Sequence, residues 1–149
     1  MISNLINKVI GLHPYYSFKT INCQHFAFMG KSLKKMDTSM GISYNFSRPS
    51  SCMKCMHAEE NAVKRFLKNN YKFSKNKKIK VDLLVVRVTY SGELKNSKPC
   101  RHCVEMLSQL PYITVVNVYY STKDGNIVCE KFKDLLSNIE MCTITRGNL

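Results

Sequence analysis

No stretch of this 149-residue chain stays apolar over the roughly 20 residues that a helix needs to cross a bilayer, so no spanning helix is expected. Its opening, Met1 to Lys8, lacks the charged, apolar and small-residue regions of a secretory signal, which makes the cytosol the expected location. Internal repeats, low-complexity tracts and Gly/Ser- or Pro-rich linkers are missing too. One domain over residues 1–149 is therefore expected, long enough to bury a core without disulfides. Acidic residues are scarce: 10 Asp and Glu face 23 Lys and Arg, for a net charge of +13. The seven cysteines are an odd number in a chain without a secretory signal, which argues against a disulfide framework. Cys23, Cys52, Cys55, Cys129 and Cys142 are expected as thiols, with Cys129 and Cys142 as small buried packing residues.

The positive charge gathers in Lys68, Lys72, Lys75, Lys77, Lys78 and Lys80, with Tyr71 and Phe73 between them. Such a stretch attracts phosphate, whether of a nucleotide or a nucleic acid, and it is equally what a solvated loop looks like. A charge run carries no base readout.

Hydrophobic periodicity organises the rest. Leu5, Ile6, Val9, Ile10 and Leu12 have helical spacing, with an end predicted at Gly11 and His13-Pro14. Cys23–Met29 reads as a first strand and Thr38–Tyr44 as a second, followed by a loop through Asn45, Arg48-Pro49 and Ser50-Ser51. His57–Leu67 is helical, with Ala62, Val63, Phe66 and Leu67 inward, and Asn69-Asn70 stops it. Val81–Thr89 is nearly all apolar and β-branched, as a central strand buried on both faces would be. A turn at Ser91-Gly92 and a polar loop lead to a second core helix, Cys100–Leu110, ended by Pro111. Ile113–Ser121 is a further strand. Lys123-Asp124-Gly125-Asn126 predicts a type I′ hairpin returning through Ile127–Phe132, and Phe132–Ile139 closes as a helix. Alternating strands and helices predict an α/β fold, a three-layer α/β/α sandwich.

Two short motifs carry the chemistry: His57-Ala58-Glu59 and Pro99-Cys100-Arg101-His102-Cys103. Each falls where a helix begins. Catalytic zinc takes three protein ligands and keeps one position for water, and His57, Cys100 and Cys103 supply those three. The cysteines are i and i+3, so both sulfurs face one side, and the positive helix end favours thiolates there. Pro99 suits the helix entry, where a missing amide hydrogen is no loss. Bound zinc can bring its water to a pKa of roughly 7. Glu59, two residues from a ligand, is placed to move protons between that water and a substrate. A structural zinc knot with an ordinary first-turn Glu is the plainer alternative, but it would be expected to have a fourth protein ligand.

The pairing of H-x-E with P-C-x-x-C resembles the zinc-dependent nucleobase deaminases. More broadly, the chain from about Cys23 to Leu136 is similar to the cytidine deaminase-like superfamily, in its cytidine and deoxycytidylate deaminase branch. The likeness runs through His25-Phe26-Ala27-Phe28, Gly41 to Asn45, His57 to Val63, Asp82 to Arg87 and Ser97 to Cys103. It implies a mixed five-stranded sheet flanked by helices, zinc on His57, Cys100 and Cys103, and Glu59 as proton shuttle. It also implies that Asn45 contacts the sugar or base, with Ala58 and Ser97 as further substrate contacts, and that copies assemble into dimers or tetramers. Two details pull apart. The His57 ligand and the loop Asn45-Phe46-Ser47-Arg48 lean toward nucleotide and nucleic-acid deaminases, while the antiparallel final hairpin leans toward the nucleoside enzymes.

The expected reaction is hydrolysis of the amino group of cytidine, deoxycytidine or their monophosphates (CMP, dCMP), releasing ammonia. The alternatives are deamination of cytosine or adenine in tRNA or single-stranded DNA, and a silent relative that only binds nucleotide or RNA. The partner is accordingly a small pyrimidine nucleoside or nucleotide, with nucleic acid allowed by the charge and no membrane expected. Cys52-Met53-Lys54-Cys55 makes a second Cys-x-x-Cys, which with Cys23 and His25 could hold a second, structural zinc or else be a thiol pair near the site. His25 otherwise reads as a core or capping histidine, and His102 as a surface or substrate-edge residue pointing away from the metal. Arg48 and Arg101 read as solvated arginines or phosphate contacts.

Overall fold

The computed structural model describes residues 2–16, 23–32, 36, 40–42, 44–45, 55–69, 78–89 and 91–138. Helix α1 spans Ile2–Tyr16, β1 Cys23–Gly30, β2 Met40–Ile42, β3 Tyr44–Asn45 and β4 Cys55–Met56. Then come α2 (Ala58–Asn69), β5 (Ile79–Thr89), β6 (Leu94–Lys95), α3 (Arg101–Ser108), β7 (Ile113–Ser121) and β8 (Ile127–Lys131). A last helix, α4, covers residues 132–138.

The main sheet runs β2-β1-β5-β7-β8 and is mixed, as expected. Only β5 and β7 are parallel, while β2–β1, β1–β5 and β7–β8 are antiparallel. β5 earns its central place by composition. Leu83, Leu84, Val85 and Val86 are all fully buried, so both faces of this strand lie under other layers. Odd-numbered residues of β1 and β5 (Ala27, Met29, Val81, Leu83, Val85) join Ala58, Ala62, Val63 and Phe66 of α2 and Val104 and Leu107 of α3 in one core. Even-numbered ones (Phe26, Phe28, Leu84, Val86, Val88) pack with Leu5 and Val9 of α1 on the other face. The result is the three-layer sandwich. Both layers derive from the period of two along a strand set against the 3.6 period of its covering helices.

Several expectations change in detail. The strand foreseen at Thr38–Tyr44 divides in two: Met40–Ile42 joins β1, whereas Tyr44–Asn45 pairs with β4 (Tyr44 opposite Met56, Asn45 opposite Cys55). Its poor alternation offers no continuous apolar face that would keep it whole. Helix α1 continues past the predicted stop at Gly11 and His13-Pro14, through Tyr16. The hairpin is real, but its turn is not type I′. Gly125 (φ 84°) takes positive φ and Asp124 does not, and Gly125 N–H donates to Thr122 O at 3.0 Å. This is a type I turn closed by a left-handed glycine, the three-residue hairpin loop. Cys129 is exposed instead of buried, since β8 is the sheet's edge strand. Cys142 lies outside the described residues.

Candidate metal centre

Helix α2 places the histidine. His57 stands immediately before the helix, and its carbonyl accepts the first helical bond, from Asn61 N–H at 3.1 Å. Helix α3 places both sulfurs. Cys100 is its N-cap residue in extended backbone, and its carbonyl accepts Val104 N–H at 3.0 Å. No side-chain cap bond forms there, which leaves the Cys100 sulfur available. Cys103 follows one turn later and is buried. Pro99, buried, precedes the cap by one residue, two positions before the first helical residue, Arg101.

Behind the loop into α3 lies a buried serine pair. β7 partners β5 only as far as Val85, and β6 takes over opposite Arg87 and Val88. At that junction the Ser97 hydroxyl donates to Val85 O at 2.6 Å and lies 2.8 Å from the Ser121 hydroxyl. Ser121 N–H donates to the Ser97 oxygen (2.8 Å), Ser97 N–H to Ser121 O (2.8 Å), and the Ser121 hydroxyl to Lys95 O (2.6 Å). These bonds moor the loop three residues ahead of Cys100. Ser97, expected as a substrate contact, thus has its hydroxyl engaged inside the protein.

The three ligand atoms converge. His57 Nδ1 lies 3.6 Å from Cys100 Sγ and 3.3 Å from Cys103 Sγ, and all three atoms sit within 4.8 Å of one another. Tetrahedral zinc with its usual bond lengths separates such a nitrogen and sulfur by about 3.6 Å, close to both nitrogen–sulfur spacings here. Among the described residues this is the one converging group of His, Cys, Asp or Glu. The Cys103 thiol donates toward Cys100 and, with His57 and His102 nearby, holds the Cys100 thiol down at about 5 against its burial. Sharing that hydrogen bond, and burial, push Cys103 the opposite way.

Glu59 is buried, 5% exposed, and stands outside the converging trio. Its carboxyl touches the Cys103 thiol, and burial pushes its pKa up, opposed by its own backbone N–H and by Cys103. A carboxyl beside the metal ligands, but not one of them, can carry protons. Ala58 is in the core, which leaves only its main chain for a ligand. Asn45 sits opposite Cys55 in the β3–β4 ribbon, two residues before His57.

His102 is at the surface, as expected, with its side chain two-thirds exposed, but it does not turn from the metal ligands. Its ring lies 5.5 Å from that of His57 at a tilt of 53°, and its Nε2 meets Glu60 Oε1 at 3.1 Å. Arg101 pairs with Glu105 at 2.9 Å on the surface of α3. His25 is half-buried on β1 opposite Arg87, and burial, then Arg87 and His57, lower its pKa to about 4. Of the second Cys-x-x-Cys, Cys52 lies outside the described residues, as do Arg48 and the side chains of Cys23 and Cys55. The serine junction and the Glu60–His102 bond escaped the sequence reading, for both join residues far apart in the chain.

A search of curated proteins returned no match. The family profile described as "Cytidine and deoxycytidylate deaminase zinc-binding region" matches residues 15–121, well over half of the chain, including all three ligands and Glu59. With the sheet, the His/Cys/Cys cluster and this match in agreement, the chain belongs to the cytidine and deoxycytidylate deaminase zinc-binding family.

Proposed function

We propose that this protein hydrolyses the 4-amino group of cytidine, deoxycytidine or their 5′-monophosphates, giving the uridine form and ammonia. The observation that carries the reading is a buried carboxyl, Glu59, set against a three-ligand metal centre of which it is not a member. When bound, zinc would supply a Lewis acid that brings a water to a pKa of about 7. Glu59 then accepts the proton that water releases as its oxygen adds to C4, and gives a proton to N3. Glu59 then takes the proton of the new C4 hydroxyl and passes it to the departing amine, so that C4 becomes a carbonyl and ammonia leaves. Burial raises this carboxyl's proton affinity, which favours its taking the proton from water.

Asn45, beside Cys55 on the ribbon that leads into His57, is the proposed contact for sugar or base. Assembly into a dimer or tetramer and a cytosolic setting, where Cys100 and Cys103 stay reduced, belong to the same reading. A second reading, deamination within RNA or single-stranded DNA, is favoured by the net charge of +13. The test sets zinc-loaded protein against cytidine, deoxycytidine, CMP, dCMP and a cytosine-containing oligonucleotide, following ammonia. Release from a nucleoside or nucleotide is expected. Turnover of the oligonucleotide alone would replace the first reading by the second.

A further inference from the structure

The metal ligands come from two helices that rest on different strands. α2 lies across β1 and β2, and α3 lies against β7. A small rotation of either helix would move His57 relative to the sulfurs. Packing of apolar side chains holds both helices to the sheet but is non-directional. A hydrogen bond between the helix ends resists such a rotation in a definite direction.

Glu60 and His102 make that bond. Glu60 is in the first turn of α2, three residues after His57, and His102 is in the first turn of α3, between the two cysteines. Their atoms meet at 3.1 Å, with Glu60 one-quarter and His102 two-thirds exposed. The His102 ring also leans on the His57 ring. One side chain therefore contacts both the ligand on the opposite helix and that ligand's near neighbour. An exposed pair of this kind adds little to folding stability, on the order of 0–1 kcal/mol, so its position over the metal ligands calls for another role.

We propose that the Glu60–His102 bond is a clamp across the two helix N-termini that fixes His57 against Cys100 and Cys103 and so sets how tightly zinc is retained. Both are positioning residues: neither supplies a ligand atom to the converging trio. Glu60 acts on the ligand ring only through His102, which it holds against His57.

The test measures zinc release to a chromophoric chelator from the purified holoprotein, His102→Ala, Glu60→Ala, the double variant and His102→Gln. Each alanine variant should lose zinc about tenfold faster, the low end of the range for partners bonded to the ligand itself. The double variant should be no worse than the poorer single one, because one bond is removed in either case. His102→Gln, whose amide can still donate to Glu60, should recover part of the retention. Thermal unfolding of the metal-free proteins should stay together, which separates a lost clamp from a damaged fold. Release within about twofold of the original in either single variant, or losses that multiply in the double, would overturn the clamp. Failure of the unmodified protein to hold zinc would instead remove the metal centre itself, a distinguishable result.

Discussion

In the proposed reaction Glu59 is the residue on which the chemistry turns, and its position can be tested without disturbing its neighbours. Glutamine has the same shape but cannot carry a proton. Because Glu59 is outside the ligand trio, Glu59→Gln should keep its zinc, measured by elemental analysis, while turnover falls by about two to four orders of magnitude. Undiminished ammonia release with zinc in place would remove Glu59 from the mechanism. At this scale the sequence was highly legible. His57, Glu59, Cys100 and Cys103 are each set by spacing within a few residues of a helix start, and local spacing is what a sequence displays. His102 was not legible, since helix geometry alone says which way it leaves α3 but not that Glu60 stands there to meet it.

At the scale of elements, the site depends on how β5, β6 and β7 end together. Ser97→Ala would remove the hydroxyl that reaches Val85 O and would leave the buried Ser121 N–H without its acceptor. A loss of about 1–3 kcal/mol in urea unfolding of the metal-free protein is expected, the scale for an unsatisfied buried group. Unfolding midpoints that coincide with the original would mean that the junction does not hold the loop. Long, apolar elements were read well: α2, β5, α3 and β7 came out within a few residues of expectation. Short ones were not, and the reason is physical. β6 is two residues held by its partners on β5, and the β3–β4 ribbon pairs two residues on each side. Neither carries a hydrophobic period long enough to announce itself. The turn at Gly125 shows the same limit, because an Asp-Gly pair fits more than one turn and only φ at Asp124 decides between them.

For the whole molecule, folding couples to pH through His25. Its folded pKa of about 4 lies below the ordinary 6.5, so the unfolded chain takes up a proton over that interval and the folded one does not. Stability from this group is therefore complete above about 6.5 and is lost as the pH falls toward 4, by up to about 3 kcal/mol. Unfolding free energies measured across that range should decline more gently in His25→Gln, and equal slopes for the two proteins would rule out the linkage. The sandwich itself followed from alternation of strand and helix, whereas the uneven cover of its sheet did not. Cys129 looked like packing in an apolar stretch, yet edge position overrides composition, and it stands exposed.

The most direct measurement is the zinc K-edge absorption spectrum of the freshly purified protein. Two sulfurs at about 2.3 Å, with nitrogen or oxygen at about 2.0–2.1 Å completing four-coordination, are predicted: His57, Cys100, Cys103 and one water. A first shell of three or four sulfurs would mean that further cysteines close the site, leaving no place for water and no deaminase.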